Sequence, residues 1–276
     1  MTDEHWYLTW GFVDRLTYAG LPRHDLRGVG ISRRDFVAGP LEDWIDSALR
    51  LDGVGQYLVL PDSALFRPTH AERTAYEKPG EPVHLGRAQW RTPDVGAGNF
   101  LIETCLRPAP GRGGLILSKH DGSTGYRLEL DAGGHPELRM DRGGRLVAQR
   151  SASISIADNA WHHLVAEVDR ASPEGITLWI DGRREAGTFQ GRVTRADLDN
   201  PGDVLVAGGP GQAFLKGDLS FLRICLGTFA DARTTIDELR AWEFAGPQFG
   251  DFTGPAPARN GRRDAGALQH SDGNRH

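Results

Sequence analysis

Two short segments in which alternate residues are apolar constrain the fold more than any other feature of this chain. In residues 161–170, Leu164, Ala166 and Val168 fall on one face of an extended strand, and residues 176–182 repeat the pattern. Alternation with a period of two is typical of a β-strand with one buried face. The Ser-Pro-Glu-Gly run between the segments supplies turn residues, so the sequence predicts a β-hairpin here.

Segments of the same kind recur along most of the chain. Apolar, strand-like runs separated by glycine-containing turns arrive about every 8–12 residues, which is the spacing of a β-sandwich. The 276 residues include 36 glycines and 16 prolines but only 2 methionines, a composition that favours short strands and tight turns over helices. The predicted fold class is therefore all-β, with two antiparallel sheets in a single domain.

Three local patterns predict individual elements. An Asp-Gly turn predicts a hairpin over residues 48–61, and a Gly-Gly turn predicts another over residues 137–148. Residues 231–244 change to helical spacing, with Asp231 or Thr234 available as the N-cap. We therefore expect one short C-terminal helix beside the sheets.

Charge and hydropathy argue against two classes of partner. The formal net charge of −5 and the pI near 6.1 give no electrostatic reason to expect nucleic acid or an anionic membrane surface. No apolar run approaches the roughly 20 residues that a bilayer span needs. The first residues lack the basic-then-apolar pattern of a secretion signal, so we expect either a cytoplasmic protein or a piece of a longer exported one.

The two cysteines, Cys105 and Cys225, are too few for a disulfide-stapled scaffold and lack CxxC spacing. Each lies inside a strand-like run, so we expect both to behave as buried, small hydrophobic residues. A disulfide between them is the alternative, and it requires their strands to be neighbours with close Cα atoms.

The predicted hairpin carries a recognisable signature. Trp161-His-His-Leu-Val-Ala166 followed by Leu178-Trp-Ile-Asp-Gly182 resembles the paired strands of the laminin-G-like and pentraxin-like jelly-roll family. Further segments resemble the family and follow its order: residues 48–63, 99–103, 115–119, 205–209, 214–217 and 222–224. The resemblance implies a concanavalin A-like jelly-roll sandwich of two antiparallel sheets.

The resemblance also suggests how the chain is organised. We expect residues 1–46 to be an irregular lead-in packed on the sandwich, residues 47–252 to be the jelly-roll domain with a long insertion loop at 62–99, and residues 253–276 to be a flexible tail. The flanks are similar to segments that border such modules in large exported bacterial proteins. That likeness implies an upstream β-helix domain, association with polysaccharide, and an extracellular or periplasmic location.

The sequence offers no catalytic constellation, and we assign no catalytic residue. It contains no Gly-x-Ser-x-Gly elbow, no phosphate-binding loop and no His-Glu-x-x-His motif. Glu167 and Asp169 share a strand face, but the third carboxylate of jelly-roll glucanases is missing, so solvated residues are the better explanation. His162 and His163 point to opposite faces of a strand and cannot easily share a metal ion.

Four oxygen-bearing residues cluster in one loop before a predicted strand: Asp197, Asp199, Asn200 and Asp203. With backbone carbonyls they could ligate calcium, which takes about six to eight oxygens. Asp and Asn are also ordinary turn residues, so a structural role is the alternative. The resemblance weakens the calcium hypothesis, because the acidic pair common in the family is replaced by Ser220 and Phe221.

Three aromatic residues could stack on the apolar C–H faces of sugar rings: Tyr76, Trp90 and Trp179. Tyr76 and Trp90 fall in the 62–99 loop, which exceeds the length of a plain connection, and such loops are often functional or disordered. An insertion lying over the surface is the alternative interpretation of this loop, and core packing is the alternative for Trp179.

Three functions are compatible with these features. The first is non-catalytic binding of carbohydrate, as polysaccharide or glycan, or of glycosylated protein. The second is a polysaccharide lyase or glycosidase that uses the concave face, and the third is a structural accessory module that docks on an upstream domain. Fold analogy alone supports the first two, so paired carboxylates in a cleft would favour an enzyme and a bare face with exposed aromatics would favour binding.

Overall fold

The structure is a computed structural model that describes residues 7–12, 16–18, 26–41, 45–65 and 93–244. Seventeen strands follow one another in these ranges: β1 (Tyr7–Phe12), β2 (Leu16–Tyr18), β3 (Arg27–Val29), β4 (Phe36–Ala38), β5 (Ser47–Asp52), β6 (Tyr57–Leu60), β7 (Phe100–Pro108), β8 (Gly114–His120), β9 (Gly125–Leu130), β10 (Pro136–Arg142), β11 (Arg145–Ala152), β12 (His162–Val168), β13 (Ile176–Ile180), β14 (Arg183–Arg184), β15 (Gly187–Gly191), β16 (Val204–Val206) and β17 (Lys216–Leu226). One α-helix, α1 (Ile236–Phe244), comes last.

The strands form two antiparallel sheets. Sheet 1 has nine strands, with β14-β13-β12-β7-β17-β1-β2 in one path and β5 and β4 joined to β17 beside it. Sheet 2 has eight strands in the order β15-β11-β10-β9-β8-β16-β6-β3. One apolar core lies between the sheets and takes alternate residues from both, among them Phe100, Tyr126 and Leu164. The two-sheet jelly-roll sandwich predicted from the sequence is confirmed.

The longest strand, β17, organises sheet 1. It pairs with β7 along one side, while β5 and β1 share its other side. The register shifts by one residue between Leu219 and Phe221, as in a β-bulge. Because strand side chains alternate between faces, the extra residue puts Asp218 and Arg223 on the same outward face, although they are five positions apart in the sequence.

The hairpin over residues 161–182 is confirmed. Strands β12 and β13 pair antiparallel, with Leu164 opposite Ile180 and Val168 opposite Ile176. The predicted apolar face lies in the core, and the opposite face of β12 carries His163 and Glu167 outward. The hairpin over residues 137–148 is also confirmed, as β10 and β11.

The hairpin predicted over residues 48–61 is wrong. Its two arms are β5 in sheet 1 and β6 in sheet 2, and they do not pair with each other. The Asp52 carboxylate accepts hydrogen bonds from the backbone N–H groups of Val54, Gly55 and Gln56, so it caps a turn that crosses from one sheet to the other. Asp-Gly chemistry marks the reversal of the chain but does not decide which strand pairs with which.

The C-terminal helix is confirmed, but neither predicted N-cap residue occupies the cap. The Thr235 hydroxyl accepts a hydrogen bond from Glu238 N at 3.2 Å, which is the N-cap to N3 bond. Asp231 instead accepts from the backbone and hydroxyl of Thr228 in the preceding turn. Ile236 and Leu239 turn inward and form a second apolar cluster on the outer face of sheet 1.

The structure also bears on the predicted lead-in, the two cysteines and the absence of a membrane-spanning helix. Within residues 1–46, strands β1, β2 and β4 join sheet 1 and β3 joins sheet 2, so the described parts of the lead-in are more regular than expected. The boundaries of lead-in, domain and tail stay predictions. Cys105 and Cys225 are buried and free. Among the described residues, no helix has the length and apolar character that a bilayer span requires.

Candidate functional site

Four residues form a row across four neighbouring strands on the outer face of sheet 1. Asp218 of β17 lies directly opposite Arg50 of β5 on one side and Arg107 of β7 on the other. All three side chains point away from the core because Leu106 and Leu219, their neighbours along the chain, point into it. Trp161, just before β12, continues the row beside Arg107.

The Asp218 carboxylate binds both guanidinium groups. Nε of Arg50 donates to Oδ1 of Asp218 at 2.9 Å, and Nε of Arg107 donates to Oδ2 at 3.0 Å. Nη2 of each arginine donates to Oδ2 as well. The side chain of Asp218 is 5% exposed, against 58% for Arg50 and 28% for Arg107. Hydrogen bonding to Asp218 raises the pKa of Arg50 above its usual value.

This row opens into a cavity of about 290 Å³. Its polar lining consists of Arg50, Arg107, Asn159, Lys216 and Asp218. Asn159 is held at the wall by a 3.0 Å hydrogen bond from its backbone N to the Pro108 carbonyl. The Arg107 guanidinium lies 5.0 Å from the centroid of the Trp161 ring, which is within cation–π distance.

The cavity is locally basic on a chain that is acidic overall. Three cationic side chains face one carboxylate, while the whole chain has a net charge of −5. Lys216 is exposed and makes no ion pair with any residue that the structure describes. Within the same residues, Nη1 of Arg50 and Nη1 of Arg107 have no protein acceptor. The cavity therefore presents hydrogen-bond donors that no described protein group uses and that a ligand can bind.

A second charged cluster lies on the same face of β7 and β17, under helix α1. Glu103 accepts hydrogen bonds from Nε2 of His163 at 2.8 Å and from Nη1 of Arg223 at 2.7 Å. Arg223 also donates to Glu243 of α1, and Arg240 lies 3.4 Å from Nδ1 of His163. Glu103 is fully buried and Glu243 nearly so, and the helix seals the cluster from solvent.

Burial and partners act in opposite directions on this cluster. Burial alone would raise the pKa of Glu103, but Arg223 and His163 outweigh it and hold the pKa below its usual value. For Glu243, burial dominates and raises the pKa. A buried and mutually bonded group of this kind supports the helix.

The outer face of sheet 2 carries paired carboxylates that the sequence analysis did not single out. Glu129 of β9 lies directly opposite Glu137 of β10. On the next residues of that face, Arg139 binds the Asp141 carboxylate with its Nε at 2.8 Å, and Nε of Arg127 lies 3.6 Å from Glu129. Burial raises the pKa of Glu129, and the neighbouring Glu137 adds to the effect.

The structure describes one of the three aromatic residues predicted to stack on sugar rings, Trp179. Trp179 is partly buried and packs edge-on against Phe229, with 6.0 Å between the ring centroids, next to the apolar cluster under α1. Tyr76 and Trp90 lie outside the described residues. Stacking of sugar on these three residues stays a prediction.

The predicted calcium residues lie together but are used in different ways. Asp197 accepts from the backbone of Asp199, and Asp199 accepts from Gly96 N at 2.6 Å. Asn200 is buried and bonds its own loop, while Asp203 accepts from Asp62 N at 2.9 Å. In the part of the chain that the structure describes, no group of three or more His, Cys, Asp or Glu side chains could hold a metal ion. Calcium binding here stays a prediction.

A lysine ammonium sits at the centre of this loop. Lys119 is fully buried, and its Nζ donates to the carbonyls of Asn200 and Gly202 at 2.6 Å each. Nζ also lies 2.7 Å from Oδ1 of Asp62 and 3.3 Å from Oδ1 of Asp94. Two carboxylates and two carbonyls therefore surround a protein cation, and the loop carbonyls that could have served a metal ion bind Lys119.

The departure from the family's acidic pair has a local explanation. The Ser220 hydroxyl donates to the Ser47 carbonyl at 3.0 Å across to β5, next to the bulge. The Phe221 carbonyl accepts from the buried Thr104 hydroxyl at 2.7 Å. Ser220 and Phe221 thus stabilise the irregular part of β17.

Sequence analysis missed Arg50, Arg107, Lys216 and Asp218. Each is a charged residue at a position that alternates with core leucines, for example Leu49-Arg50-Leu51. That alternation shows that the side chains point outward. It does not show that three strands separated by long stretches of sequence bring them together.

Comparisons with known proteins agree with the fold. Residues 103–233 match the family model described as the concanavalin A-like lectin/glucanases superfamily. Domain 4 of AbnA, a GH43 extracellular arabinanase from Geobacillus stearothermophilus, solved in complex with arabinotriose, superposes with a TM-score of 0.52 at 14% identity, over 82% of this chain and 94% of that one. This likeness shows a shared fold. No curated protein matches the chain.

Two further solved structures match about half of this chain. The CBM40 of the Ruminococcus gnavus IT-sialidase, bound to α2,3-sialyllactose, gives a TM-score of 0.39 at 12% identity, over 54% of this chain and 83% of that one. Domains LG4-5 of the mouse laminin α1 chain give 0.38 at 17% identity, over 49% of this chain and 38% of that one.

Proposed function

We propose that this chain, whose sandwich is of the laminin-G-like, concanavalin A-like type, binds carbohydrate without transforming it. We place the glycan in the cavity between Arg50 and Arg107. The observation that carries the proposal is an open cavity of about 290 Å³ with unsaturated hydrogen-bond donors beside an aromatic ring.

The chemistry of the cavity suits a sugar. Hydroxyl groups of a glycan can accept hydrogen bonds from the guanidinium groups of Arg50 and Arg107 and can donate to the Asn159 carbonyl oxygen. Trp161 is partly exposed, and an aromatic ring of this kind offers an apolar surface to the C–H face of a sugar ring. A few convergent polar groups beside an apolar surface are usual for small-ligand sites.

The fold comparison supports the proposal by analogy. The arabinanase domain that shares the fold over most of both chains was solved with arabinotriose. Fold likeness at 14% identity does not transfer a ligand, so the cavity of this chain must carry the argument.

Affinity electrophoresis tests the proposal. The protein is run through native gels that contain one neutral or acidic polysaccharide each, with and without EDTA. We expect retardation by at least one polysaccharide, reduced about tenfold in apparent affinity by Arg107→Ala. Arg145→Ala is the matched control, because Arg145 is exposed on the hairpin of sheet 2, away from the cavity.

The EDTA arm also tests the calcium residues. Retardation that EDTA abolishes would support a calcium site at Asp197, Asp199, Asn200 and Asp203, whereas unchanged retardation would contradict a calcium-dependent ligand. Retardation that survives Arg107→Ala would move the binding site elsewhere, first to Trp179, Tyr76 and Trp90. An upstream domain and a location outside the cytoplasm stay predictions.

One observation favours an enzyme as the second candidate function. Glu129 and Glu137 lie opposite each other on the outer face of sheet 2, and burial raises the pKa of Glu129 as a general acid requires. A glycosidase would release reducing ends from a polysaccharide, and Glu129→Gln would abolish that release. No product from any polysaccharide tested would contradict this candidate and leave binding as the function.

A further inference from the structure

We infer that the cavity selects an acidic glycan, namely one with a carboxylate or a sulfate ester on the sugar that reaches Arg50, Arg107 and Lys216. The inference rests on the proposed function and names the ligand class of the same cavity. The shared chemistry is a compact oxygen anion on a sugar.

The charge balance of the cavity is the first argument. Among the residues that line the cavity, Asp218 supplies one negative charge against the positive charges of Arg50, Arg107 and Lys216, which leaves an excess of two. Asp52 lies opposite Lys216 in the register but is outside the lining. The excess is local, because the chain as a whole is acidic. A ligand that enters the cavity must displace water from these cations, which costs hydration free energy. An anionic group compensates for this cost more fully than a neutral hydroxyl, because its hydrogen bonds to the cations are charge-assisted.

The geometry of the two guanidinium groups is the second argument. Asp218 binds each arginine through Nε and Nη2, so the same edge of each fork is occupied and Nη1 is left to a ligand. The Trp161 ring lies beside the Arg107 guanidinium, with 5.0 Å between the guanidinium carbon and the ring centroid. Planar forks that are already held in place bind carboxylate or sulfate oxygens with little further loss of side-chain entropy.

The covered cluster on the same sheet face provides a contrast within the molecule. There Arg223 lies between two carboxylates, Glu103 and Glu243, and its charge is compensated by the protein. In the open row the ratio is reversed, with one carboxylate between two arginines. The missing negative charge is what an acidic ligand would supply.

The test compares one neutral polymer with two acidic polymers, one of which has the same backbone as the neutral polymer. Dextran and dextran sulfate form one pair, and polygalacturonate adds a carboxylate polymer. Binding is measured by titration calorimetry at about 50 mM and 200 mM NaCl. We expect dextran sulfate or polygalacturonate to bind at least tenfold more tightly than dextran, with an affinity that falls as salt rises. Preference for one of the two acidic polymers distinguishes sulfate from carboxylate.

Two variants locate the effect. Lys216→Gln removes an exposed cation that has no ion-pair partner among the described residues, so we expect this variant to fold normally. Arg107→Gln removes the guanidinium group that lies between Asp218 and Trp161. Each should weaken acidic-polymer binding on the order of tenfold, whereas Arg145→Gln should leave it unchanged. An equal loss in Arg145→Gln would overturn the inference, because general surface charge would then explain the binding.

The outcomes separate this inference from the proposed function. If dextran and dextran sulfate bind equally well and both depend on Arg107, the preference for an acidic glycan is wrong and carbohydrate binding in the cavity is retained. Binding of acidic polymer with losses in both cavity variants supports both proposals. If none of the three polymers nor any polysaccharide of the gel panel binds, the proposed function fails and the inference fails with it.

Discussion

Two charged clusters on the same face of β7 and β17 have opposite polarity and opposite exposure. Under helix α1, β7 supplies the carboxylate of Glu103 and β17 supplies the cation of Arg223. At the open end, β7 supplies the cation of Arg107 and β17 supplies the carboxylate of Asp218. Both pairs lie opposite each other in the register, so backbone geometry does not distinguish them.

The cover is what makes the two clusters different. A buried charge is tolerated when its hydrogen bonds are satisfied by protein, and α1 contributes Glu243 to complete the bonds of Arg223. The arginines of the open row are 58% and 28% exposed, so solvent can reach the donors that Asp218 does not bind. The comparison teaches that a covered cluster acts as a structural element, while an open one keeps binding capacity for a ligand.

The largest effect should come from removing the shared cation of the covered cluster. Arg223→Met leaves Glu103 and Glu243 buried beside each other without their arginine, and we expect a loss of about 4 kcal/mol in the free energy of unfolding. Urea denaturation measures it. Arg107→Met is the counterpart in the open row and should cost less than about 1 kcal/mol. Equal costs would remove the distinction between the clusters.

The next largest effect should come from Lys119, the buried cation that binds the carbonyls of Asn200 and Gly202. Lys119→Met leaves the carboxylates of Asp62 and Asp94 and two loop carbonyls without the ammonium, so we expect about 3 kcal/mol of destabilisation. Lys216→Met is the open counterpart and should leave the urea midpoint within error, because Lys216 is exposed. If the Lys119 variant is as stable as the wild type, the ion pairs and hydrogen bonds of the Lys119 ammonium group do not support the fold.

A smaller effect should follow from loosening the cover itself. Thr235→Ala removes the N-cap of α1 and should cost about 1 kcal/mol. Thr234→Ala is the matched control, because the Thr234 hydroxyl bonds only the Glu238 side chain in an exposed position, and its cost should stay below about 0.5 kcal/mol. Hydrogen exchange of the helix amides reports the same difference. A larger loss at Thr234 would return the cap to one of the two positions predicted from the sequence.

The smallest effect is a pH dependence at the start of β12, next to the covered cluster in the sequence. Hydrogen bonds to Asp181 and Asp158 raise the pKa of His162 above its usual value. A raised folded-state pKa stabilises the protein below the unfolded pKa of about 6.5, and this stability is lost as pH rises through the folded pKa. The difference in urea midpoint between wild type and His162→Gln should therefore shrink between about pH 5.5 and pH 8.5. Arg145→Gln leaves His162 in place, so its difference from wild type should stay constant over this range.

Local chemistry was enough to predict most of the strands. The hairpin over residues 161–182, the hairpin over residues 137–148 and the C-terminal helix follow from side-chain period and turn residues within a dozen positions. The same reasoning failed for residues 48–61, because a turn residue records a chain reversal and not the sheet that each arm joins. It also missed Thr235 as the cap, since Asp231, Thr234 and Thr235 all carry side-chain oxygens that can cap a helix.

The candidate cavity could not be predicted in the same way. Arg50, Arg107 and Asp218 are separated by 57 or more positions, and the register of two strand pairs brings them together. The bulge after Leu219 then decides that Asp218 and Arg223 share a face. A shift of one residue would have turned one of them into the core.

By itself, the sequence determined an all-β chain, the laminin-G-like signature and the outward direction of its charged strand residues, because these depend on neighbours within a few positions. The tertiary structure alone decided which charges meet, which of them α1 covers and which remain open to a ligand. Those outcomes depend on strand register and sheet order, and the side-chain alternation of a single strand carries no information about either.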